Sequence, residues 1–260
     1  MDNVNRTLYI PLYGKARVSR QGILLSDPTA ERIWDSEGFE LHGKAKSKWL
    51  CYYMGMRSAV FDRWLSSELE RYPDAVVLGV GCGLDSRILR VGSGGHQWYD
   101  VDFPDVISER KKYFSESDEY HMLGADARET DWIEALPGGR RLILVMEGVS
   151  MYMENERLRE LLSALGRHFA GMSALIDCYT AFAAKASKYR NPINEVGVTT
   201  LYGVDDPKWL EVDELRFVRE RELTPPELID ELKGFDRKFF RLVFAGKAAK
   251  KLYRLFEYES

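Results

Sequence analysis

Five short apolar runs, "AVVLGV", "HQWYDVD", "EYHML", "RLILVME" and "SALIDC", alternate with helical stretches, and that alternation restricts the chain to few folds. Each run has strand length and is bounded by Gly, Pro or charged turns. Between them lie "DSRILRV", "PDVISERKKYF", "DWIEAL" and "NERLRELLSALGRHF". Repeated strand and helix predict right-handed βαβ units, hence an α/β, doubly wound, mostly parallel sheet. Ligands of such sheets sit beyond the carboxyl ends of the strands. Functional residues are therefore expected immediately after each run.

The first of those ends reads "VVLGVGCGLDSRILRV". Gly79, Gly81 and Gly83 remove Cβ atoms that would hold a ligand away from the main chain, and Asp85 or Ser86 is placed to cap the next helix. The dinucleotide fingerprint G-x-G-x-x-G is not met: the third glycine comes one residue early, and Leu84 stands in its place. The second run ends in Asp100 and Asp102, about 20 residues past the glycines, where a carboxylate meets ribose hydroxyls. Asp102 equally suits a cap for the helix that Pro104 begins.

The third run is followed by "LGADAR", where Asp126 can accept from an adenine amino group. Glu147 ends the fourth after five apolar residues, a position that demands either a ligand ammonium or a nearby arginine. Glycines followed by three acids suit a ligand with a ribose, an adenine and an amino acid tail, and offer nothing to phosphates. S-adenosylmethionine fits that description; NAD, FAD and ATP do not.

Outside the alternating region, "DPTAERIW" begins a helix with Asp27 as cap and Pro28 in its first turn. A second helix runs through "KSKWLCYYMGMRSAVFDRWLSSELERY", with Trp49, Tyr53, Met56, Val60, Phe61 and Leu65 at helical spacing. Within it Arg57 is aimed either at the pocket mouth or, by snorkelling, at the surface. After Cys178 a helix and loop are expected to lie over the pocket. "LRFVRERELTP" and "KKLYRLFEYES" then form an antiparallel pair, with helices from "PPELIDELKGFDRKFF" between them. Residues 1–72 thus read as a helical extension, 73–178 as the cofactor-binding core and 179–260 as a cap with closing strands, all within one domain.

Apolar residues make up 45% of the 260, enough for a packed core, and 37 basic against 41 acidic residues give a net charge of −4. That balance argues against a nucleic-acid or anionic-membrane binder. There is no apolar run of about 18 residues, as a membrane span requires, and no signal-like start. Cys51, Cys82 and Cys178 are odd in number and far apart, which suggests buried thiols in a reducing cytoplasm. The "DVD" pair has no His or Cys beside it, so no metal is expected.

"NRTLYIPLYGKA", "SDPTAERI", "MRSAVFDRWL", "VVLGVGCGLDSRILR", "WYDVDFPDVISERKK", "GADARETDW" and "MEGVSMYM" resemble, in order, the leucine carboxyl methyltransferase superfamily. The nearest branch is that of bacterial tetracenomycin-type polyketide O-methyltransferases. The likeness runs from about Arg6 to Tyr152 and returns weakly in "KKLYRLFEYE". It implies a class I S-adenosylmethionine-dependent fold with an N-terminal helical extension. It further implies that Arg57, assisted by Lys15, binds the cofactor's carboxylate, that Gly79 and Gly81 approach its methionine part, and that Asp102 holds the ribose. Asp126 and Ala127 would face the adenine, and Glu147 would take the α-ammonium.

Methyl transfer from a sulfonium is an in-line displacement, so alignment supplies much of the acceleration. None of the four histidines, His42, His96, His121 and His168, lies in a motif that marks a base. A carboxylate acceptor needs none, whereas a phenol or alcohol normally does. The expected partner is a small-molecule acceptor, with Tyr179, Arg190 and Tyr202 as candidates to bind it. Other readings are a protein C-terminal carboxyl methyltransferase, an NAD-dependent dehydrogenase and a non-catalytic cofactor-binding module.

Overall fold

The computed structural model describes residues 8–41, 43–190 and 200–260. Strands covered on both faces require continuous apolar runs. The chain supplies five, as β1 (Val76–Val80), β2 (Gln97–Asp102), β3 (Tyr120–Gly124), β4 (Arg141–Met146) and β5 (Gly171–Tyr179). All five pair in parallel. β6 (Arg216–Arg221) and β7 (Tyr253–Glu259) complete the sheet antiparallel, β7 against β5 and β6 against β7. The order β3-β2-β1-β4-β5-β7-β6 reverses direction between β1 and β4, which makes the ends of those two strands the switch point.

The strands' period of two sends alternate side chains into different layers. Val77, Ile143 and Leu175 face the layer that holds α1 (Tyr9–Arg20), α2 (Pro28–Glu37) and α3 (Lys48–Arg71). Val76, Leu78, Leu142 and Leu144 face α6 (Asn155–His168), whose Leu158, Leu161, Leu162 and Leu165 recur at helical spacing and are buried. The N-terminal helices therefore share a core with the sheet. Two shorter helices, α4 (Arg87–Val91) and α5 (Pro104–Arg110), join the first strands. Following β5 come α7 (Ala181–Arg190), α8 (Pro226–Ile229), α9 (Gly234–Val243) and α10 (Gly246–Lys250). Among the described residues no helix is long and apolar enough to cross a membrane.

Local signals held where they were purely local. Asp27 caps α2, accepting from the Ala30 amide at 2.9 Å. Other expectations gave way to long-range partners. Ser86 holds the N-cap position of α4 as expected, but its side chain makes no cap bond: its hydroxyl donates to Asp27 at 2.5 Å, and Asp85 is taken by Lys15. Asp102 does not cap α5 either, since Phe103 holds the cap position and Asp102 accepts from the Gly83 and Phe103 amides. "DWIEAL" forms only a 3-10 turn, Asp131–Ala135. On α3, Met56, Val60, Phe61 and Leu65 are buried as their spacing predicts, while Trp49 and Tyr53 are half-buried and face a cavity.

Candidate active site

A cavity of about 590 Å³ opens at the carboxyl ends of β1 and β4. The turn Gly79 to Asp85 forms one wall. Its backbone needs left-handed φ values, +67° at Gly81 and +51° at Gly83, which side chains with a Cβ resist. A Cβ on Gly79 would come within 2.5 Å of Asp100 Oδ1, and one on Gly81 would strike Val149. The sequence suggested that these glycines make room for a ligand. In the fold they make room for the protein's own Asp100 and Val149, and so allow the turn to line the cavity.

Asp100 braces this wall. It is buried and accepts from Trp98 Nε1 at 3.0 Å, Tyr120 Oη at 2.8 Å and Arg110 Nη2 at 2.5 Å. Arg110 Nη1 also donates to the carbonyls of Gly83 (3.0 Å) and Asp85 (2.6 Å), tying α5 to the turn. Asp102 lies behind the same turn, accepting from the amides of Gly83 and Phe103 at 2.8 Å each. Burial pushes its carboxyl above the ordinary value, against the pull of those two amides.

The charged end of the cavity draws on elements far apart in sequence. Glu147, just past β4, accepts from Arg57 Nε at 3.0 Å, from Ser58 Oγ at 2.9 Å and from Arg87 Nη2. Arg57 Nη1 donates to Tyr253 Oη at 3.1 Å and lies 3.5 Å from Asp177 Oδ2. Asp85 meets Lys15 Nζ and Arg90 Nη1 at 2.7 Å each, and Arg87 Nη1 at 3.1 Å. Burial alone would raise the Glu147 carboxyl, but Arg87 and Arg57 outweigh it and hold it below the usual range. Asp85 is likewise driven well down, because Arg87, Arg90 and Lys15 overcome its burial. Asp177 has less compensation: burial pushes it up to about 6 despite Arg57.

Of the residues singled out from sequence, Lys15, Arg57, Gly79, Gly81, Gly83, Asp85, Asp100, Glu147 and Tyr179 line this one cavity. Asp102 touches its glycine wall from behind. Arg57 is not on the surface: it lines the cavity, is buried, 5% exposed, and is paired within the charged end. Asp126 and Ala127 follow β3 outside the cavity lining. Asp126 is engaged by Arg128 at 2.5 Å, which holds its carboxyl low, and Ala127 packs on the α6 side. Tyr202 also lies outside, donating to Glu154 at 3.2 Å. Arg190 closes α7, and its side chain falls outside the described residues.

Sequence reasoning missed Arg87, Asp177, Tyr253 and Tyr53, and gave Asp85 only a capping role. Asp177 left a signal as the one charge inside the apolar run of β5. Arg87 stands inside the quoted "GLDSR" but carried no local requirement of its own. Tyr53 read only as one of the spaced aromatics of its helix and Tyr253 only as part of a closing strand, so neither gave a signal.

Strand order, glycine turn and acids at successive strand ends together define a class I methyltransferase architecture. Magnesium protoporphyrin IX methyltransferase from Synechocystis, solved with bound S-adenosylhomocysteine, superposes with a TM-score of 0.53 at 13% identity, covering 89% of this chain and 92% of that one. A DUF574 family protein from Streptomyces avermitilis gives a TM-score of 0.59 at 10% identity, over 89% and 88% of the two chains. The chain belongs to the leucine carboxyl methyltransferase family, whose sequence profile matches residues 13–166. It is 31% identical to the tetracenomycin polyketide synthesis O-methyltransferase of Streptomyces glaucescens over 221 residues, 84% of this chain and 82% of that protein. It is 26% identical to an S-adenosyl-L-methionine-dependent methyltransferase of Gibberella zeae over 239 residues, 81% and 78% of the two. The match thus starts later and runs further than the motifs alone suggested, into α6.

Proposed function

We propose that this protein is an S-adenosylmethionine-dependent O-methyltransferase that methylates a carboxylate or hydroxyl of a small, polyketide-like molecule. The observation that carries this reading is the buried pair of opposite charges, Arg57 and Glu147, set beside a glycine turn in one cavity. The lining cations Lys15, Arg57 and Arg87 are matched by Asp85, Asp100 and Glu147. Each of those cations already has a carboxylate partner. A zwitterionic amino acid tail adds no net charge to such a site and can exchange into its pairs. A diphosphate would bring negative charge with no uncommitted cation among the described lining residues, which argues against a nicotinamide dinucleotide.

When bound, S-adenosylmethionine supplies an electrophilic methyl group on sulfur. In this reading Arg57, with Lys15 nearby, receives the carboxylate, and Glu147 receives the ammonium while Arg87 and Ser58 keep it oriented. The family likeness assigns Asp102 to the ribose and Asp126 with Ala127 to the adenine; in the fold Asp102 reaches the site only through the Gly83 amide it holds, and Asp126 and Ala127 lie beyond the described cavity lining. The chain then contributes alignment and exclusion of water. None of the three described histidines lines the cavity, in keeping with an acceptor oxygen that arrives already ionised. The three free cysteines, Cys51 and Cys178 among them buried, suit a reducing cytoplasm.

The test is incubation with S-adenosylmethionine and a panel of aromatic acids and phenols, with products read by mass spectrometry and then treated with mild base. Methyl esters are cleaved by base and ethers are not, so one experiment detects transfer and identifies the oxygen. Cofactor binding without any methylated product across the panel would favour a non-catalytic binding module.

A further inference from the structure

Helix α3 carries Trp49, Tyr53 and Arg57 four residues apart. Their side chains stack along one face, with about 6 Å of helix between successive members. All three line the cavity. Arg57 belongs to the charged end. Trp49, eight residues earlier, lies with its ring centroid 6.2 Å from that of Phe244, and Leu50, Met54, Val243 and Leu252 also line the cavity. Tyr53 stands midway between Trp49 and Arg57 on the helix. Its ring centroid lies 6.1 Å from that of Tyr253, which accepts from Arg57.

The Tyr53 hydroxyl oxygen is buried and has no hydrogen-bond partner among the described residues. Withdrawing a hydroxyl from water without a partner is unfavourable, and such groups call for an explanation. Burial also drives the phenol upward and keeps its proton in place, so it is available as a donor.

We propose that Tyr53 is an acceptor-binding residue whose hydroxyl donates a hydrogen bond to the oxygen that receives the methyl group. The flat apolar body of the acceptor then lies against Trp49, Leu50 and Met54, and its oxygen points toward the charged end. A donor at that oxygen favours its ionised form, which suits a cavity with no histidine in its described lining. The assignment rests on the methyl-transfer reading, adds a residue to it and narrows the acceptor to aromatic molecules bearing an acidic oxygen.

Tyr53→Phe keeps the ring and removes only the hydroxyl. Equilibrium dialysis of wild type and variant against 1-hydroxy-2-naphthoate and against oxygen-free 2-methylnaphthalene, with and without S-adenosylhomocysteine, tests it. The variant is expected to bind the naphthoate about tenfold more weakly, the hydrocarbon equally, and S-adenosylhomocysteine within about twofold of wild type. Its melting temperature should equal or exceed that of wild type, because the hydroxyl has no structural partner to lose. Equal naphthoate affinity in the two proteins, no naphthoate binding to wild type, a parallel loss of S-adenosylhomocysteine affinity or a lowered melting temperature would each overturn the proposal. Should S-adenosylhomocysteine not bind wild type while the contrast between the two probes persists, the methyl-transfer reading fails and the Tyr53 subsite stands.

Discussion

Glu147 is a carboxylate with almost no access to water, held between two guanidinium groups. Removing one member of such a cluster leaves buried charge uncompensated, at a cost of about 3–5 kcal/mol. Glu147→Ala is therefore expected to lower stability by that order in urea unfolding, and to weaken S-adenosylhomocysteine binding by at least about tenfold in calorimetry. Wild-type affinity in this variant would mean that the amino acid tail is held elsewhere. Asp177 behaves in the opposite sense. Its folded value of about 6 lies above the ordinary 3.8, so the folded state binds the proton more tightly than the unfolded chain. Stability from this group is complete below the ordinary value and declines as pH rises to about 6, by roughly 3 kcal/mol in all. Asp177→Asn should abolish that decline. Its unfolding free energy relative to wild type should rise between pH 4 and pH 6 and then level off. A difference that does not change over that range would show that Asp177 is not held protonated. Glu147 and Asp85, both held low, lose their contribution as pH falls through their depressed values.

The glycine turn between β1 and α4 is the element on which the cavity depends. Gly81→Ala meets two penalties, a backbone at φ +67° and a collision with Val149. Together these should cost about 1–3 kcal/mol. Adding Val149→Ala relieves the collision alone, so the double variant should recover part of the loss in thermal unfolding but not all of it. Full recovery would show that the backbone conformation carries no cost there. This turn also separates what the sequence could reveal from what it could not. A strand needs only its own apolar run, and Asp27 needs only an amide three residues away, so both were legible. Asp85 looked like a cap because nothing local announces Lys15, 70 residues earlier, as its partner. Arg110 was quoted within a family motif, yet its grip on Asp100 and on two carbonyls of the turn exists only once α5 lies across β2.

At the scale of the molecule, the site joins α1 through Lys15, α3 through Arg57, α4 through Arg87, the end of β4 through Glu147 and β7 through Tyr253. Helices α1 and α3 thus help to line the candidate site and share its core with the sheet. Residues at strand ends could be found by position alone, since a parallel sheet presents them on one side. Their counterions could not, because salt bridges across the fold have no fixed spacing in sequence. Tyr53 illustrates the limit: at helical spacing it looked like one more core aromatic, and only the folded structure shows it lining a cavity with its hydroxyl buried and unpartnered. The central claim is that the charged end of this cavity takes a phosphate-free nucleoside with an amino acid tail. Isothermal titration of the wild-type protein with S-adenosylhomocysteine and, separately, with NADH tests it most directly. The account predicts saturable one-site heat for the first and none for the second at millimolar concentration. Silence with S-adenosylhomocysteine, or tighter binding of NADH, would contradict it.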